Sequence, residues 1–106
     1  MAKYMFIASF TAEGAKGLLA EGGTRRRETI GSMFASLGGT LESFNFAFGS
    51  DDVIIIGELP GNAAAAAAAL TTSASGAVQT RTIVLLSPEE VDDAAKLSPA
   101  YRAPGA

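Results

Sequence analysis

The stretch of residues 44–58 contains two apolar segments of different pattern around a short polar turn. Phe44, Phe46 and Phe48 alternate with smaller residues, whereas residues 53–56 form an unbroken β-branched run. β-Branched side chains favour strands, and successive strand residues point to opposite faces of a sheet. The pattern therefore predicts a hairpin whose second strand is apolar on both faces.

A strand that is apolar on both faces indicates a sheet that is covered on both sides. The chain's own helices can cover one side, but a chain of 106 residues has few elements left for the other. We therefore expect a second copy of the chain to cover the remaining face.

The length of the turn sets which side chains share a face of the hairpin. A two-residue turn at residues 49–50 pairs phenylalanines with odd-numbered positions of the second strand: Phe48 with Asp51, Phe46 with Val53 and Phe44 with Ile55. The opposite face then carries the alternate residues: Leu41, Ser43, Asn45, Ala47, Asp52, Ile54, Ile56 and Glu58. A slip of one residue would exchange the two faces.

Helix signals separate this hairpin from two further predicted strands, residues 3–10 and 78–86. Thr11 is a good N-cap for a first helix, which Gly22 and Gly23 end. A second helix from Thr24 has an apolar stripe at helical spacing, formed by Ile30, Met33, Phe34 and Leu37. The alanine run of residues 63–69 predicts a third helix, which can lie very close to the sheet.

A fourth helix is predicted after Ser87, because Ser-Pro-Glu-Glu has the arrangement of a capping box with proline at the first helical position. Val91, Ala94 and Ala95 are expected to face inward from it. Residues 98–106 contain Pro99 and Pro104 and predict an extended tail.

The resulting order is strand, helices, strand, strand, helix, strand, helix. A hairpin flanked by helical crossovers is typical of an α+β, ferredoxin-like βαββαβ fold with a four-stranded antiparallel sheet and helices on one face. We expect one domain over residues 1–97, followed by the extended C-terminal tail, residues 98–106.

The composition excludes several kinds of chemistry and of partner. The chain has no cysteine and no histidine, which excludes disulfides, thiolate chemistry and histidine-dependent catalysis, and neither a metal site nor a cofactor is predicted. A net charge of −3 argues against nucleic acid as a partner. No segment has the length of a signal peptide core or a membrane span, so we expect a cytoplasmic protein without membrane contact.

Residues 46–53, Phe-Ala-Phe-Gly-Ser-Asp-Asp-Val, resemble the GYD-domain family, small bacterial proteins of the dimeric α/β-barrel type. The resemblance extends over Thr11 and Gly14, an arginine at position 25 or 26, Gly38-Gly39, Pro60, Gly76 and residues 80–82. It implies the fold and a homodimer or higher homo-oligomer, but no established reaction. The tyrosine expected before the aspartate is Asp51 here, so any role of that phenol is absent or moved.

Three arginines, Arg25, Arg26 and Arg27, fall in the first turn of the second predicted helix, where positive charge opposes the helix dipole. They could bind an anion or a partner's carboxylate. The alternative is a solvated surface with Glu21 and Glu28 nearby.

Polar residues also interrupt the apolar strands: Ser9, Ser43, Asn45, Gln79 and Arg81. Buried polar groups need partners, so these residues either line a cavity between sheet and helices or lie in a dimer interface, which we favour. Ser9, Asn45 and Arg81 join Arg25 and Arg26 as ligand-binding candidates. Gly49, Asp51 and Asp52 are predicted to have a structural role in the turn.

No catalytic residue is predicted, and three hypotheses share this fold. The first is a non-catalytic oligomer that holds a small apolar or anionic molecule. The second is a cofactor-independent enzyme, resembling a monooxygenase or isomerase, with Asn45, Arg81 or a carboxylate as polar helper. The third is a structural module in which the tail links dimers into larger assemblies. The first is preferred, although the shared fold does not decide among the three.

Overall fold

The computed structural model describes all residues, 1–106, and has four strands and four helices. In chain order they are β1 (Ala2–Phe10), α1 (Ala12–Glu21), α2 (Gly23–Ser36), β2 (Thr40–Phe46), β3 (Val53–Leu59), α3 (Asn62–Ala74), β4 (Val78–Leu85) and α4 (Pro88–Leu97). The strands form one antiparallel sheet in the order β2-β3-β1-β4. The predicted α+β, ferredoxin-like architecture is confirmed.

The core lies between one face of the sheet and helices α2 and α3. Central strands β1 and β3 contribute large side chains such as Tyr4, Phe6 and Ile55, while α2 contributes Ile30 and Phe34. The stripe predicted for α2 therefore packs as expected. Helix α3 contributes only small buried side chains, Ala65 and Ala68.

Two glycines allow close packing around this core. A Cβ at Gly57 would lie 2.4 Å from the Phe34 ring, so the bare backbone of β3 makes room for that aromatic side chain. A Cβ at Gly14 would lie 1.9 Å from the carbonyl oxygen of Ala77. Any side chain at either position would require the neighbouring element to move.

The hairpin pairs as predicted but is connected differently. Phe46 pairs with Val53 and Phe44 with Ile55, as expected. However, β2 ends at Phe46, so the two-residue turn and the pairing of Phe48 with Asp51 are wrong, and Phe48 is fully exposed. The carboxylate of Asp52 accepts a hydrogen bond from the Phe10 backbone N–H at 2.8 Å, which attaches the longer connection to β1.

A register irregularity in β2 corrects one assignment of faces. The pairing shifts between Leu41 and Ser43, so that Leu41 lies opposite Gly57. An extra residue in one strand reverses the side on which the following side chains emerge. Leu41 accordingly packs against the helix-side core rather than on the opposite face.

The two predicted helix caps are present. The Thr11 hydroxyl accepts a hydrogen bond from the Gly14 N–H at 3.2 Å, and Ser87 and Glu90 form a reciprocal capping box. The inward orientation predicted for Val91, Ala94 and Ala95 is wrong, because no residue of α4 is buried. None of the helices has the combination of length and apolar character that a membrane span requires.

Helix α4 and residues 98–106 extend away from the rest of the molecule. The radius of gyration is 16.8 Å, whereas a compact domain of about 100 residues has a value of about 13 Å. Every residue after Ser87 is exposed. The chain therefore ends in a helical arm that has no substantial contact with its own body.

Candidate functional site

A cavity of about 250 Å³ lies between α2, α3 and the sheet. Phe6 and Ala8 of β1 form part of its floor, and Ile30 and Met33 of α2 line one side. Ala68 of α3 lies on the other side. Most of the lining is apolar, so the cavity is suited to the hydrocarbon part of a small molecule.

The cavity exists because the two helices facing it differ in bulk. The inward positions of α2 are the large residues Ile30 and Phe34, whereas those of α3 are Ala65 and Ala68. A Cβ methyl group cannot fill the space that a leucine would fill. The position of Ala68 therefore controls how much of the cavity stays open.

Arg26 is the charged residue of the cavity lining. Its Nε atom lies 3.2 Å from Glu21 Oε1, but this buried atom makes no well-directed hydrogen bond, even to that carboxylate. An ion pair without an aligned hydrogen bond leaves part of the guanidinium's donor capacity unused. Arg26 can therefore present N–H donors to an anion at the cavity.

The hydroxyl groups around the cavity are largely engaged by backbone carbonyls. Thr29 donates to Arg25 O at 3.0 Å, Thr72 donates to Ala68 O at 2.9 Å, and Ser75 donates to Thr72 O at 2.6 Å. The lining contains no carboxylate, lysine or tyrosine. The arrangement can bind and orient a molecule, but it provides no obvious general base.

The structure separates the predicted site residues. Arg26 lies at the cavity, while Arg25 is exposed on α2. Ser9, Asn45 and Arg81 lie on the opposite face of the sheet, since they alternate with the core positions of their strands. Of the two alternatives for these three residues, a cavity between sheet and helices does not fit this placement, and Asn45 and Arg81 do not lie at the cavity beside Arg26. Their place in a dimer interface stays a prediction.

The turn residues connect three strands at one end of the sheet. Asp51 accepts hydrogen bonds from Arg81 Nη2 at 3.2 and 3.4 Å, and the Ser9 hydroxyl donates to Ser50 O at 3.4 Å. Asp52 donates its backbone N–H to Ala8 O at 2.9 Å. Gly49 lies in the same loop with open space around it. These contacts hold the loop against β1 and β4.

The sheet face opposite the helices is rich in aliphatic side chains. We call this surface the open face: Met5, Ile7, Ile54, Ile56, Ile83 and Leu85, with Lys3, Ser9, Asn45, Glu58, Gln79 and Arg81 around them. No helix of the chain packs on it. Ile54 and Ile56 are half-buried, whereas their neighbours Val53 and Ile55 on the helix side are buried.

The sequence did not indicate Ala68 or the threonines around the cavity. The alanine run predicted a close helix, but the gap depends on where α3 lies relative to α2, which no local pattern encodes. The ion pair between Arg26 and Glu21 could have been predicted, because the two residues are close together in the sequence. No cluster of three or more acidic residues suitable for a metal ion is present.

The comparisons with known proteins agree with the fold. A family model described as the GYD domain matches residues 4–95, which includes β2, β3 and β4 and most of β1 and α4. Comparison with curated proteins and with solved structures gives no match. With the matched region reaching all four strands and the cavity between them and the helices, the chain belongs to the GYD domain family.

Proposed function

We propose that this protein is a homodimer that binds a small, mainly apolar molecule with an anionic group, and that it is not itself a catalyst. The observation that carries the proposal is the cavity of about 250 Å³ beside Arg26. An apolar cavity of about 150 Å³ is already large enough for benzene. The site therefore has room for a compact aromatic or short aliphatic acid.

The lining favours binding over the enzymatic alternative. A cofactor-independent enzyme needs a group that moves a proton within hydrogen-bond reach of its substrate. The cavity lining has threonine and serine hydroxyls and one guanidinium, and most of these hydroxyls donate to their own helix. A stable apolar anion is the ligand that best matches this set of groups.

Dimerisation through the open face is supported by its chemistry. Ile54 and Ile56 of β3 lie beside Ile7 and Met5 of β1; Ile7 is buried, and the partly exposed Met5, Ile54 and Ile56 form an aliphatic patch on the two central strands. Contiguous apolar surface of this kind marks interaction sites in soluble proteins. A second copy offers the same self-complementary surface.

Filling the cavity should weaken ligand binding. We expect Ala68→Leu to weaken the binding of naphthoate, an aromatic carboxylate used as probe, by at least about tenfold, because the added methyl groups occupy the ligand's space. Isothermal titration calorimetry measures the change. Ala66→Leu is the matched control, since Ala66 is exposed on the same helix. Equal affinities for the two variants, or no binding to the unchanged protein, would contradict the proposal.

Arg26 should account for the preference for an anion. We expect Arg26→Gln to weaken naphthoate binding by roughly 10–100-fold, the range for a hydrogen bond to a charged group, and to leave the binding of neutral naphthol nearly unchanged. Arg25→Gln removes the same charge from an exposed neighbour and should have little effect. An equal loss for naphthoate and naphthol would show that Arg26 only shapes the cavity.

A further inference from the structure

Helix α4 is an amphipathic helix without a partner in its own chain. Val91, Ala94 and Ala95 are three and four positions apart and so share one face. Val91 is 53% exposed and Leu97 is 79% exposed. A short helix in water gains most of its stability from packing of its apolar face, so this face needs a surface to cover it.

The same helix is strongly acidic. It contains Glu89, Glu90, Asp92 and Asp93 against the single base Lys96. None of its carboxylates takes part in an ion pair, because the three ion pairs of the chain all involve other residues. Glu90 and Asp92 flank the apolar face, as neighbours of Val91 in the helix. The surface that covers α4 should therefore combine apolar area with positive charge.

The beginning of α2 combines positive charge with apolar area. Arg25 and Arg27 are exposed there and form no ion pair, and α2 has no acidic residue in its first turn. Beside them lies a shallow recess formed by Gly23, Thr24, Arg27, Phe44 and Phe46. We call this surface the basic corner: Arg25, Arg27, Phe44 and Phe46.

The basic corner presents apolar area as well as charge. The rings of Phe44 and Phe46 pack edge to face with centroids 5.2 Å apart, and Phe46 is 36% exposed. The N-terminal end of α2 also carries the positive end of the helix dipole, so carboxylates are favoured there. An acidic amphipathic helix matches this surface in both respects.

The chain cannot bring its own α4 to its own basic corner. Strand β4 ends at Leu85, opposite Lys3 at the start of β1. Phe46 lies at the other end of the sheet, opposite Val53, which pairs with Ala8. The eight residues of β4 span about 26 Å, and α4 continues away from the body. An α4 helix that docks on the basic corner must therefore come from another molecule.

We propose that α4 of one copy docks on the basic corner of a second copy, with Val91, Ala94 and Ala95 over Phe46 and with Asp92 facing Arg27. The contact places carboxylates at the positive end of α2 and covers the exposed apolar faces of both elements. It is separate from the open face and shares only Phe44 with the lining of the cavity. It gives the projecting arm a role in assembly.

Charge reversal tests this contact. We expect Arg27→Glu and Asp92→Arg each to raise the dissociation constant of the assembly by about tenfold, because each places like charges together. An equimolar mixture of the two variants should recover the affinity of the unchanged protein, since both contacts then pair opposite charges. Sedimentation equilibrium measures the dissociation constants of the two variants and of their mixture. Lys16→Glu is the control for Arg27→Glu, because it makes the same charge change on exposed α1.

Two results would overturn the proposal. If Arg27→Glu and Asp92→Arg assemble as well as Lys16→Glu, α4 does not dock on the basic corner. If each variant is weakened but the mixture stays weak, the two side chains do not face each other. Neither result depends on whether the cavity binds a ligand.

Discussion

Replacing Phe34 with alanine is expected to lower the free energy of unfolding by about 3–5 kcal/mol, the usual cost of removing a buried phenylalanine side chain. Phe34 is 1% exposed, and its ring packs edge-on against Phe6 at 5.8 Å. It also lies over Gly57, where β3 has no side chain to fill the space that the ring leaves. Collapse around the missing ring is therefore limited.

Urea unfolding measures this loss, and Phe48→Ala is its matched control. Phe48 is fully exposed in the loop after β2, so its removal should change stability by less than about 0.5 kcal/mol. Both variants are compared at one protein concentration, because the stability of an oligomer depends on it. Equal stabilities for the two variants would show that α2 is not anchored through Phe34.

Placing a charge on the open face should separate the two copies of the proposed homodimer. Ile56 lies in β3 between Met5 and Ser43, so Ile56→Asp would bury an unpaired carboxylate in a dimer formed through this face. We expect the dissociation constant to rise at least about 100-fold. The isolated chain should still fold, since no helix covers that position.

Leu70→Asp is the matched control for this variant. Leu70 is 71% exposed on α3, away from the open face, and its replacement makes the same chemical change. At the same protein concentration, analytical ultracentrifugation should find Ile56→Asp far more dissociated than the control. If both variants assemble equally, the copies associate through another surface.

The sequence predicted the elements and their order because each has a local cause. These causes act on residues only a few positions away in the sequence. They are the capping residues Thr11 and Ser87, the apolar stripe of α2 and the β-branched run of β3. The pairing of Phe46 with Val53 followed from alternation within the hairpin. These features need no knowledge of distant parts of the chain.

The errors concern features that depend on contacts between distant residues. The wider loop after Phe46 is held by two sets of hydrogen bonds. Asp52 accepts one from the backbone of Phe10, and Asp51 accepts one from Arg81, which is 30 residues away. The irregularity at Leu41 reverses a face without any proline or glycine to mark it. The inward prediction for α4 failed because an amphipathic pattern indicates that a helix is covered, but not by which molecule.

The candidate site was only partly predictable for the same reason. Arg26 was selected because its charge breaks the local preference at a helix start. The cavity beside it depends on the spacing between α2 and α3, which is set by packing across the whole sheet. Ser9, Asn45 and Arg81 were correctly placed in strands, but their face was decided by the arrangement of helices.

We propose that a second copy covers the aliphatic side chains of the open face. Sedimentation equilibrium of the unchanged protein at micromolar concentration tests this through the mass of the particle. We expect a mass of at least twice the 10.8 kDa of one chain. A mass of one chain under these conditions, with Ile54 and Ile56 facing water, would contradict it.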